Sequence, residues 1–204
     1  MPRLPRSLRG TLLSLILTFV ALPQVAAQQP PPGLVEVSDG SRRGFWLNVG
    51  VGAGGESNDV FPGGGFSEHL YQPTFSFGAG GTIGQNLRVG GEVIAWVNEE
   101  ADAVESLSSI LLAARFYPLK AAGLYLKGGV GIGRNAVDFD DGFNVGDTGL
   151  AGLIGAGYEI RLGRRVYLNP TIDLVGHTYD GRAGADYRER LVNFGLGVLF
   201  QPGP

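Results

Sequence analysis

Two histidines, His69 and His177, are the side chains of this chain best suited to move a proton near neutrality. Ester or amide hydrolysis would pair such a base with a nucleophilic serine, but the segment VGHTYDG around His177 has none, so His177 is read as a polar boundary residue. Gly50, Gly52 and Gly55 fit G-x-G-x-x-G, yet the chain continues as ESNDVFPGGG, with no helix N-terminus to receive a phosphate. DFDDGFNVGD, from Asp138 to Asp147, gathers carboxylates that could hold calcium. Its spacing departs from that of an EF-hand loop and no helix pair flanks it, so a solvated loop is expected. With no cysteine, the chain has no thiolate metal site and no disulfide framework. No catalytic residue, cofactor or metal is expected.

A different polar set is more informative. Arg88, Glu92, Arg115, Lys127, Glu159, Arg161 and Asp173 each stand inside an apolar run, and all fall on the same parity as most strand glycines. In RVGGEVIAWV, for example, Leu87, Val89, Val93, Ala95 and Val97 take one face while Arg88, Glu92 and Trp96 take the other. Period-two alternation of this kind recurs eight times, over roughly 44–54, 73–84, 87–97, 107–117, 124–134, 149–162, 166–177 and 190–200. Each segment is long enough to cross a bilayer as a tilted strand, which takes about 9 to 11 residues. An even number of such strands can close, leaving no unpaired edge in lipid.

The expected fold is therefore all-β: an eight-stranded antiparallel up-and-down transmembrane β-barrel over residues 44–200. One arginine on the lipid face at mid-membrane would cost roughly 2 to 4 kcal/mol, so the charged set is expected to point inward as a polar network. Inward glycines, among them Gly50, Gly78, Gly80, Gly129 and Gly195, would make room for it, giving a plugged lumen. Connections after strands two, four and six read as short turns. Those after strands one, three, five and seven read as long loops that carry, in or beside them, fourteen of the 19 acidic residues. The segment NEEADAVESLSSILLAARF admits a competing reading, a helix capped by Asn98, and residues 99–106 could be helical within a loop.

Residues 1–27 combine three arginines, the apolar run TLLSLILTFVAL and small residues at Val25 and Ala27, which reads as a cleaved secretory signal peptide. Residues 28–43 read as a flexible lead-in and 201–204 as a tail. Past the signal remain 13 basic against 19 acidic residues, a formal charge of −6, which disfavours nucleic acid as a partner.

Together the signal peptide, the four hairpins and the ending VNFGLGVLF resemble the small eight-stranded outer-membrane barrels of the OmpA transmembrane-domain type. The resemblance implies a bacterial outer-membrane location, outer-membrane lipid and lipopolysaccharide as surroundings, and a structural, surface-interaction or narrow-channel role. It also implies recognition by the barrel-assembly machinery through Val192, Phe194, Leu196, Val198 and Phe200. Here QPGP follows Phe200, whereas the family's aromatic residue usually ends the chain, and no peptidoglycan-binding domain follows. Divalent cations could bridge the Asp138–Asp147 loop to lipopolysaccharide phosphates. Two other readings are a soluble secreted lipocalin-like barrel, which needs an apolar interior and a polar exterior, and a lipid A-modifying barrel enzyme. Oligomeric state is not legible.

Overall fold

A computed structural model describes residues 42–59, 64–100, 102–119, 122–140, 142–180 and 186–202. The signal peptide and most of the lead-in lie outside the described residues. Strands β1 (Phe45–Asp59), β2 (Leu70–Gly84), β3 (Leu87–Glu100), β4 (Ala103–Phe116), β5 (Leu124–Phe139), β6 (Asn144–Tyr158), β7 (Ile160–Arg161), β8 (Val166–Tyr179) and β9 (Tyr187–Phe200) form one antiparallel sheet. Neighbours in sequence pair in order, β1 pairs with β9, and β6 pairs with β8, so the sheet is closed. β7 continues β6 against β8 after a break at Glu159, which leaves eight staves in the wall. The described residues contain no α-helix.

Alternation in the sequence becomes the two faces of this wall. Leu150, Val130 and Leu112 are 71%, 69% and 64% exposed on the outside, whereas Leu111, the neighbour of Leu112, is 2% exposed inside. A belt of exposed Phe45, Val49, Phe77, Ile110, Ile132, Ile154, Ile172, Phe194 and Leu196 surrounds the barrel. Water would not tolerate an apolar surface this large on a monomer; hydrocarbon would.

Two expectations are corrected by the pairing and length of the strands. Residues 99–100 and 103–106 are paired strand, not helix: Glu100 pairs with Ala103 and Asn98 with Glu105, because β3 and β5 both supply edges for β4. The regular alternation of short turns and long loops is also lost, since β3 and β4 are joined through residues 101–102 and β5 and β6 through 140–143, while the opposite end carries the longer link 117–123. Strands of 14 to 16 residues account for this. At ~3.4 Å per residue and ~40° tilt, such strands are about 35 to 40 Å tall. They project beyond a ~25 Å apolar band, so much of the apparent loop is strand.

Candidate functional site: a layered lumen

The inward side chains fill the barrel in layers. Nearest the turn end, Arg88 donates through Nη1 to Glu159 Oε1 (2.5 Å) and to Tyr117 Oη (3.0 Å), and through Nη2 to Gln201 Oε1. The Tyr117 hydroxyl donates to the same Glu159 oxygen. Arg42 completes the group, 3.6 Å from Glu159 Oε2 with its guanidinium 3.8 Å from the centre of the Tyr117 ring. Arg42, in the expected lead-in, and Gln201, in the expected tail, thus join the buried cluster at the turn end of the barrel.

One layer further in, Glu92 accepts from Lys127 Nζ at 2.6 Å and faces Arg115 Nη2 at 3.5 Å, while Lys127 also meets Asp173 at 2.9 Å. Arg115 lies over the Trp46 indole, 4.4 Å from its centre. Trp46 has this place because Gly78, Gly80 and Gly90 lack side chains: a Cβ on any of them would lie about 3 Å or less from the indole carbons. Tyr125 donates to Asn169 Oδ1 (2.9 Å) and Asn169 to Asn48 Oδ1 (3.1 Å).

Of the charged set expected inside, Arg88, Glu92, Arg115, Lys127, Glu159 and Asp173 are buried and brought together. Arg161 is not. It stands in the two-residue β7 at the turn end, half-buried, with Nε donating to the Gly163 carbonyl at 3.2 Å. Parity alone placed it in the network; β7 pairs it with Tyr167 at the turn-end edge of the wall, beyond the buried charges.

Above the ionic layers the lumen turns apolar, and an interior of charges and glycines is corrected by this. Ile94, Trp96, Leu107, Leu111, Ala113, Ala151, Leu153, Val175 and Leu191 form one buried cluster. Trp96 Nε1 donates to the Gly54 carbonyl at 2.9 Å, so its only polar atom is satisfied. The rim above it is acidic. Glu56, Glu105, Asp147 and Glu189 point inward there, with Asn135 Nδ2 donating to Glu189 (2.5 Å) and Glu105 (3.4 Å) and the Tyr187 hydroxyl donating to Asp147 (3.2 Å).

The serine missing from VGHTYDG is supplied by β4. Ser109 Oγ and His177 Nε2 share a hydrogen bond of 2.8 Å although 68 residues separate them. Inward parity on both strands was the available signal. Each residue is 1% exposed, His177 Nδ1 has no hydrogen-bond partner, and Tyr179 stacks against the ring, so the pair lacks both an orienting acid and a place for an acyl substrate. Gly50 and Gly52 lie mid-strand in β1. Among the described residues no group of three or more His, Asp or Glu is placed to hold a metal ion. His69 is exposed beside Tyr71. Tyr117 and Tyr125 are interior hydrogen-bonding residues.

Compared with known proteins, the chain matches no protein-family model, and no curated protein matches it. Solved structures do match. Neisserial surface protein A is similar with a TM-score of 0.54 at 18% identity, over 78% of this chain and 97% of that one. The likeness is one of fold. Ail, the attachment invasion locus protein of Yersinia pestis, solved in complex with the heparin analogue sucrose octasulfate, gives a TM-score of 0.52 at 14% identity over 77% of this chain and 99% of that one. Both are matched over nearly their whole length, so the likeness extends over the closed antiparallel barrel.

Proposed function

We propose that this chain is a non-enzymatic protein of the bacterial outer membrane whose plugged barrel serves as a structural and surface-contact element of the envelope. The observation that carries this reading is the inverted polarity of the wall, with aliphatic and phenyl side chains outside and paired charges inside. A soluble lipocalin-like carrier needs the reverse arrangement. Residues 1–27 serve export, and the outward series Val192, Phe194, Leu196, Val198 and Phe200 of β9 is the segment offered to the barrel-assembly machinery.

Surface contact differs in kind from that of Ail, which accommodates a polysulfated sugar. Glu99, Glu100, Asp138 and Asp186 stand exposed at the loop tips, beyond Arg134 and Arg190 at the edge of the apolar belt, and favour a neutral or cationic partner at the tips themselves. The test is expression of the full chain with its signal in a Gram-negative host. The expected result is recovery in the outer-membrane fraction, extraction only by detergent, and gel migration that changes on boiling. Recovery as a soluble periplasmic protein would end this reading.

A further inference from the structure

The outward face of the wall is not uniformly bulky. Gly152 on β6 pairs directly with Gly176 on β8, Gly176 pairs with Arg190 on β9, and Gly152 pairs with Val130 on β5. A Cβ built on either glycine would meet nothing within 4 Å. The two bare positions open a depression of about 300 Å³ between Ile154 and Leu174, with Arg190 on its border. That depression adjoins a second one, of about 620 Å³, through the same Ile154 and Leu174; this continues past Ala156, Ile172 and Val192. From Gly176 to Ile172 along β8 the run is ~14 Å of strand, or about 10 Å of height at a ~40° tilt, which is a third of a ~30 Å hydrocarbon core.

Charge stands where this groove ends. Going up β9 the outward residues are Phe200, Val198, Leu196, Phe194 and Val192, and the next is Arg190, exposed, with its guanidinium 3.2 Å from the centre of the Phe66 ring. On β5 the outward series Leu126, Gly128, Val130 and Ile132 is likewise followed by exposed Arg134. Arg188 is held by Asp59 at 3.0 Å, but among the described residues neither Arg134 nor Arg190 forms a salt bridge. The two arginines thus cap the apolar belt three strands apart. The glycine notch lies in register with Arg190 and Val130, and Arg134 stands four residues further along β5, so the two are about 14 Å apart across the strands and roughly 20 Å apart in all. A cation with no carboxylate partner among the described residues, at the top of a hydrocarbon belt, suits an anionic headgroup.

We propose that this face is a binding groove for the phosphorylated, multiply acylated saccharolipid of the outer leaflet, lipopolysaccharide, with an acyl chain in the Gly152–Gly176 notch and phosphates on Arg190 and Arg134. A single-phosphate glycerolipid can meet one arginine; a saccharolipid carrying two phosphates can meet both. Both described chain ends, Arg42 and Gln201, lie at the opposite end of the barrel, which puts the arginines on the loop side. The inference rests on the outer-membrane reading above.

The test uses the mature chain refolded in detergent micelles, titrated with diphosphorylated lipid A, monophosphorylated lipid A and phosphatidylglycerol. Diphosphorylated lipid A is expected to bind about tenfold tighter than phosphatidylglycerol, with R190Q and R134Q each removing about tenfold. The G152L/G176L double variant, which fills the notch and keeps both charges, is expected to lose a similar factor. R164Q, at the turn end, should change nothing. Boiling-dependent gel migration checks that each variant is folded, and G176V serves if the double variant is not. Equal affinity for phosphatidylglycerol, or unchanged affinity in folded R190Q or in the notch-filled variant, would overturn the inference. A chain that never enters micelles would instead defeat the membrane reading, so the two failures are distinct.

Discussion

Glu92 shows what a single residue has to do in this lumen. It is 3% exposed between Lys127 and Arg115, and the burial of all three is tolerable only because opposite charges meet at hydrogen-bonding range. Removing one partner of such a group leaves charge uncompensated. Glu92→Ala is expected to destabilise the refolded barrel by about 3 to 5 kcal/mol, read as a lowered urea midpoint in detergent. Arg161→Ala, which breaks only a bond to the Gly163 carbonyl, should cost less than about 0.5 kcal/mol. Equal effects of the two substitutions would contradict the placement of Arg161 outside the network.

At the scale of elements, β4 is the informative strand. Its sequence has an acidic start, a capping asparagine before it and leucines at helical spacing, all of which favour a helix locally. Pairing overrides this: β3 and β5 satisfy its backbone along both edges from Ala103 to Phe116, and the same leucines, Leu107 and Leu111, fit the inward parity of a strand. NMR of the refolded protein should give strand-type Cα shifts and slow amide exchange for residues 103–112. Helical shifts over 99–106 would refute the hairpin. The inner wall of β2 and β3 carries a second expectation. Gly90→Ala would press a methyl against the Ala79 carbonyl and the Trp46 indole and should cost about 1 to 3 kcal/mol, whereas Gly152→Ala, on the open outer face, should be close to neutral. Urea titration of both variants separates the cases.

For the whole molecule, the decisive property is the sequence of layers across the lumen. The ionic layers, the apolar cluster around Trp96 and Leu111, and the hydrogen-bonded acidic rim leave no continuous aqueous path of the porin kind in the described structure. Planar bilayers containing the refolded barrel are therefore expected to show no large, stable conductance steps. Steps of porin size would mean that the plug opens. On the proposed reading, function lies on the outside of the wall and at the loop end, where the apolar belt and the two arginines meet their surroundings.

By itself the sequence determined the all-β barrel, the number of staves and the inward side of Arg88, Glu92, Arg115, Lys127, Glu159 and Asp173. Those follow from period-two alternation, which needs only neighbours along the chain. It did not reveal which charges pair, that Ser109 meets His177, that Leu111 and Ile94 face an apolar interior layer, or that Gly152 and Gly176 lie side by side beside Arg190. Each of these depends on register between strands distant in sequence. Register is fixed only when the sheet closes, because closure sets which residues of opposite walls share a height, and parity carries no information about height.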